Sequence, residues 1–151
     1  LNIFLKLPKN LVYKTTKITS NKFIMSLIKY SIEYPIKTSI SILYKRLTTP
    51  SGLSEWFADN VNIKNDVLTF YWDGSEEDAI ILKMKKHEFI RFQWVDDEGE
   101  EKYFEFFIQV HNMTKDISLI VTDFADDEQE KEDGIQLWDK QIDNLKNAIG
   151  I

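Results

Sequence analysis

The chain contains no cysteine, two histidines, three prolines and five glycines among 151 residues. Without cysteine there is no disulfide framework, no thiolate zinc site and no cysteine nucleophile. The same absence suits a reducing compartment, so a cytoplasmic location is expected. Scarce Gly and Pro rule out collagen-like and low-complexity architectures. No stretch approaches the roughly 18 consecutive apolar residues of a membrane-spanning helix. Imidazole chemistry is confined to His87 and His111.

What the chain does hold is core material. Hydrophobic residues make up 43% and charged residues 29%, and ten Phe, six Tyr and four Trp are spread along the sequence. This length and composition suit one soluble globular domain able to bury most of its apolar surface. The formal net charge is −6, but its distribution is uneven. Residues 1–24 carry five Lys and no acid, which leaves 14 basic against 25 acidic residues in the remainder. A domain that acidic repels the phosphate backbone, so nucleic acid is excluded as a partner.

The first 24 residues read as separate from the domain. Their apolar stretches are broken by Lys6, Pro8, Lys9 and Asn10, which is wrong for a signal-peptide core. Eighteen of the 24 are Leu, Ile, Phe, Tyr, Asn or Lys, residues with AT-rich codons, and Leu1 is not a normal initiator. Met25 is therefore the expected natural start, with 1–24 a non-native or disordered extension and 25–151 the domain.

From Ile28 to Tyr34 apolar and polar residues alternate, which predicts an edge or half-buried strand ended by Pro35. Thr38 or Ser39 can cap a short helix carrying Ile40, Leu43, Tyr44 and Leu47. A second short helix follows Thr49-Pro50-Ser51, with Leu53, Trp56 and Phe57 on one face. Hairpins come next, with turns at Asn65-Asp66, from Asp73-Gly74, at Lys86-His87-Glu88, at Glu98-Gly99-Glu100 and over 112–115. The expected pairs are Ile63 with Leu68, Phe70 with Leu82, Leu82 with Phe92, Phe92 with Phe106, and Phe106 with Val121. That register gathers Val61, Ile63, Leu68, Phe70, Trp72, Ile80, Leu82, Met84, Ile90, Phe92, Trp94, Phe104, Phe106, Ile108, Val110, Ile117, Leu119 and Val121 on one apolar face. Lys83, Arg91, Gln93, Glu105 and Thr122 fall on the other, the pattern of an antiparallel sheet covered on one side. Ile135, Trp138, Ile142, Leu145 and Ile149 recur at spacings of three and four, so a C-terminal amphipathic helix is the cover. The fold class is α+β: a curved antiparallel sheet packed against a long helix.

This order of elements resembles the START-like, or helix-grip, superfamily, which includes plant-allergen-like ligand binders, polyketide cyclases and AHSA1-type domains. Thr49-Pro50-Ser51-Gly52-Leu53-Ser54-Glu55-Trp56-Phe57-Ala58-Asp59 is similar to the second-helix signature of AHSA1-type members, where Pro precedes a Trp-Phe pair. The segments from Phe70 to Glu77 and from Leu119 to Ala125 are similar to a small bacterial branch of the superfamily. The resemblance implies an apolar ligand held between sheet and long helix.

The candidate pocket residues are Trp56, Phe57, Trp72, Phe92, Trp94, Phe104, Phe106, Trp138 and Ile142, a large apolar set of the kind that lines small-molecule sites. The same rings are bulky enough to fill the space instead and leave a packed core. In that case the domain would serve as a protein-interaction module, offering Asp96-Asp97-Glu98, Glu100-Glu101 and Asp126-Asp127-Glu128 as an acidic surface. The AHSA1 likeness implies a chaperone-associated role for such a module. A cyclase-like enzyme needs polar groups inside the cavity, and the expected inward set supplies none beyond Tyr30 and Tyr34. Both histidines fall at turns, on opposite sides of the sheet, so no catalytic residue is assigned. The acidic runs lack the ligand spacing of a calcium loop, and neither a metal site nor a cofactor is expected.

Overall fold

The computed structural model describes residues 26–151. The expectation for residues 1–24 lies outside the described residues. Seven strands form one antiparallel sheet: β1 (Ile28–Pro35), β2 (Asn60–Lys64), β3 (Val67–Trp72), β4 (Ser75–Lys85), β5 (Phe89–Trp94), β6 (Phe104–Val110) and β7 (Ile117–Ala125). Their order across the sheet is β1-β7-β6-β5-β4-β3-β2, so β1 and β2 are the edges. Two short helices, α1 (Ile40–Thr48) and α2 (Pro50–Leu53), connect β1 to β2, and α3 (Glu128–Ile149) closes the chain.

Local chemistry explains where each helix begins and ends. The Ser39 hydroxyl caps α1 by accepting from the Ile42 N–H at 3.2 Å. Thr49 caps α2, accepting from the Gly52 N–H at 3.0 Å, and Pro50 occupies the first turn, where its missing N–H costs nothing. At α3 the Asp127 carboxylate accepts from the Glu130 N–H (2.7 Å), while the Glu130 carboxylate accepts from the Asp126 N–H (2.6 Å). This reciprocal arrangement works like a capping box and places acids at the positive end of the helix. The helix stops at Gly150, whose N–H returns to the Lys146 carbonyl at 2.9 Å.

The Asn65-Asp66 turn holds two residues at positive φ and pairs Ile63 with Leu68, as expected. Phe106 pairs with Val121, also as expected. Between them the register differs. Asp73-Gly74 is itself a complete two-residue turn, so β4 starts at Ser75 and Phe70 pairs with Glu77 rather than Leu82. Ile81, not Leu82, pairs with Phe92, and a bulge between Ile81 and Lys83 then restores the expected phase at Met84–Ile90. A bulge adds one residue to one strand, so the expected face is right after it and inverted before it. Ala79 and Ile81 therefore point inward in place of Ile80 and Leu82, and Leu82 is 45% exposed. Phe92 pairs with Phe104 instead of Phe106, a shift of two residues that leaves every side chain on its expected face.

The concave face, α1, α2 and α3 share one core, in which Leu43, Leu47, Leu53, Leu68, Phe70, Ile90, Phe92, Phe106, Leu119, Val121, Ile142 and Leu145 are almost wholly buried. Ile63, Met84 and Val110, expected inside, are exposed instead. Each stands at or next to the end of its strand. Opposite the core, Arg91 pairs with Glu105 at 2.8 Å and lies 4.0 Å from the centre of the Tyr103 ring.

Gly134 in α3 departs from the helical preference of its neighbours for a steric reason. A Cβ there would fall inside contact distance of the Tyr30 hydroxyl, and Tyr30 is 7% exposed beneath the helix. Gly134→Ala should therefore destabilise by about 1–3 kcal/mol through overpacking, although helix propensity alone predicts a gain of about 1 kcal/mol. Pairing it with Tyr30→Phe, which removes the obstructing oxygen, should recover most of the loss in urea melts. A stabilised single variant would mean that α3 stands farther from β1.

Candidate functional site

The segment joining α2 to β2 delivers the aromatic centre of the molecule. Trp56 anchors it by donating its indole N–H to the Arg46 carbonyl at 2.9 Å. The adjacent Phe57 ring meets Phe70, Trp72, Phe104, Phe106 and Trp138. Its carbonyl accepts from Trp72 Nε1 and from Gln141 Nε2, each at 3.1 Å. Gln141 is 1% exposed, a polar residue set inside the apolar stripe of α3. Its amide ties the helix to the backbone of the Trp56-Phe57 segment and gives the buried Phe57 carbonyl a second donor beside Trp72.

Trp138 makes the second tie. Its ring stacks on Phe57 at 6.0 Å and stands edge-on to Phe106 at 5.7 Å. Its Nε1 donates to Asp123 Oδ2 at 2.9 Å. Asp123 Oδ1 accepts from the Phe124 N–H at 2.8 Å, so both carboxylate oxygens are engaged.

Between these groups lies a cavity of about 390 Å³, bounded by the sheet and the first half of α3. Phe57, Trp72, Trp94, Phe104, Phe124, Leu137 and Trp138 give it apolar walls, while Tyr30, Glu77, Asp123, Glu130, Asp133, Gln136, Lys140 and Gln141 supply polar groups. Of the nine residues expected to form the pocket, Phe57, Trp72, Trp94, Phe104 and Trp138 line it. Trp56, Phe92, Phe106 and Ile142 pack elsewhere in the core.

The expectation that the inner face holds no acid is corrected by Glu77 and Asp123. Pairing of Phe70 with Glu77 and of Tyr30 with Asp123 puts both carboxylates on the concave side. The turn at Asp73-Gly74 is shorter than expected, which puts Glu77 in β4 instead of in the connection. Asp123 was legible, two residues beyond inward-facing Val121. Burial, reinforced by the carboxylates of Asp123 and Glu130, pushes the Tyr30 hydroxyl well above the usual phenol range, partly offset by a hydrogen bond with Trp138. Tyr34 is pushed the same way by burial and by its 2.6 Å hydrogen bond to Asp139.

A larger depression, about 850 Å³, lies between the β1–α1 connection and the β6–β7 turn and is lined by Glu33, His111 and Ser118 among others. His111 Nε2 lies 3.2 Å from Ser118 Oγ and 3.3 Å from Glu33 Oε1. Because one nitrogen faces both groups, they do not form the acid–imidazole–hydroxyl relay of a hydrolase, which uses both ring nitrogens. His87 lies apart, edge-on to Tyr44 at 5.3 Å. Among the described residues no group of His, Asp and Glu converges as a metal site, and no helix is long and apolar enough to cross a membrane.

The sequence profile of the START-like superfamily domain matches residues 24–151. The chain belongs to the START-like superfamily. Among solved structures, this START-like domain is 35% identical to a Bacteroides fragilis protein determined by NMR in solution. That match has a TM-score of 0.62 and covers 84% of this chain and 94% of the other. The Aha1 dimer from Colwellia psychrerythraea is 16% identical, with a TM-score of 0.67 over 82% of this chain and 97% of that one. An AHSA1-like protein from Aeromonas hydrophila is 14% identical, with a TM-score of 0.62 and coverage of 81% and 92%. The last two likenesses bear on the fold alone. No curated protein matches the START-like domain.

Proposed function

We propose that the START-like domain binds a small molecule with an apolar body in the cavity between the sheet and α3. The 390 Å³ space walled by Phe57, Trp72, Trp94, Phe104 and Trp138 carries this reading. Small-molecule sites are commonly concave and mostly apolar, with a few placed polar groups and volumes from roughly 300 to 1,000 Å³. Trp56, Phe92, Phe106 and Ile142 then support the walls from behind. The same proposal places the domain in the cytoplasm, a reducing compartment that a chain without cysteine suits.

The neutral fluorophore N-phenyl-1-naphthylamine should bind with enhanced emission. Leu137→Trp, which fills the cavity from the half-buried side of α3, should abolish that uptake while preserving the fold. Absence of uptake by the wild-type protein, or uptake undiminished by the filling substitution, would overturn the reading. Native mass spectrometry of protein purified from its own host should in addition reveal a co-purified ligand.

A second reading, a protein-interaction module, draws on a different observation. Lys102 Nζ lies 3.5 Å from Glu100 and 3.2 Å from Asp126. It thereby joins the two acidic segments that the sequence keeps apart into one surface beside the β5–β6 connection. A basic protein captured in low salt and released in high salt would favour this module, given that the fluorophore fails to bind.

A further inference from the structure

The cavity's charge restricts what can enter it. Four acidic residues line it, Glu77, Asp123, Glu130 and Asp133, against one lysine, exposed Lys140. The Glu130 carboxylate also caps α3 at the Asp126 N–H, and Asp133 is exposed at the rim. Glu77 and Asp123 stand on the concave face of the sheet beside the rings, not out on a loop. The neighbouring walls are aromatic, with Trp94 4.9 Å from Phe104 and 6.4 Å from Trp72 between ring centres. Ring faces carry negative quadrupole density and attract cations. Asp123 is held by its two hydrogen bonds at 2.8 and 2.9 Å, and each of its oxygens keeps a further lone pair for an incoming donor.

We infer that the ligand is an organic cation, an apolar or aromatic body bearing an ammonium group. This rests on the binding reading above. A ligand of opposite charge, such as a fatty acid, would set its carboxylate beside those of Glu77 and Asp123 in a partly dehydrated space, where like charges repel. An ammonium meets the carboxylates directly while its body fills the aromatic part, so both halves of the cavity are used. Residues of the rim are exposed enough for added salt to weaken the attraction.

Three probes of nearly equal size separate body from charge: 1-naphthylmethylammonium, 1-naphthalenemethanol and 1-naphthoate. Titration followed through the indole N–H signals of Trp72, Trp94 and Trp138 should rank the ammonium tightest, by about tenfold over the alcohol at low salt, and the carboxylate weakest. In 1 M NaCl the ammonium should approach the alcohol. Glu77→Gln should narrow the ammonium's advantage over the alcohol at low salt, and wild-type indole N–H signals of the unliganded variant would verify that it folds. Equal affinities for all three probes, or tightest binding of the carboxylate, would overturn the charge inference and leave the cavity reading intact. If none of the probes shifts any indole signal, the cavity reading itself falls.

Discussion

Trp138→Ala is expected to lower the stability of the domain by about 3–5 kcal/mol, the range for truncating a buried large aromatic. The side chain is 8% exposed and wedges between Phe57, Phe104 and Phe106. Well-oriented aromatic pairs add about 0.5–1.5 kcal/mol beyond their buried area. The indole also donates to Asp123, so truncation strips a half-buried carboxylate of a donor as well as opening a void. Trp138→Phe separates the two losses, because it keeps much of the ring and discards the N–H. It should cost less than half as much as the alanine variant. Urea melts of both would measure the difference. Near-wild-type stability for Trp138→Ala would mean that α3 does not clamp the sheet through this residue.

Gly52→Ala should be nearly as damaging, about 3 kcal/mol, at the upper end of the usual overpacking range. A Cβ at this position would strike the Lys45 carbonyl at the end of α1 and come within 2.8 Å of Arg46 Cα and 2.7 Å of Thr49 Oγ1. Two of these atoms belong to backbone, so relief requires α1 and α2 to separate. That movement would carry Trp56 away from the Arg46 carbonyl and Phe57 from the aromatic cluster. Loss of stability should therefore come with weaker uptake of N-phenyl-1-naphthylamine in the fraction that still folds. A thermal melt matching the wild type would show that the two short helices part at little cost.

Gly52 also gives a physical account of the segment from Thr49 to Asp59 that carries the family likeness. Thr49 caps, Pro50 opens the turn, Gly52 permits close approach, and Trp56 locks the following chain so that Phe57 enters the core. Most of this segment serves construction of the cavity's back wall; only Phe57 reaches the cavity itself. A motif that builds a wall identifies a fold and leaves the ligand open.

The sequence by itself determined the α+β class, the number of strands after the short helices, the apolar stripe of α3 and most of the inward-facing aromatics. These follow from period-two and period-3.6 repetition of apolar residues, which is a local property of the chain. Tertiary structure decided where the phase of β4 breaks, because a bulge between Ile81 and Lys83 leaves no compositional mark; the residues of β4 before the bulge take their face from the tight Asp73-Gly74 turn. That turn is what brings Glu77 inside. Tertiary structure likewise selected which five of the nine candidate residues border open space, since a cavity is a mismatch among elements distant in sequence and is encoded in none of them singly. The acidic lining has the same origin: Glu77 from β4, Asp123 from β7, and Glu130 with Asp133 from α3 meet only when the helix closes over the sheet.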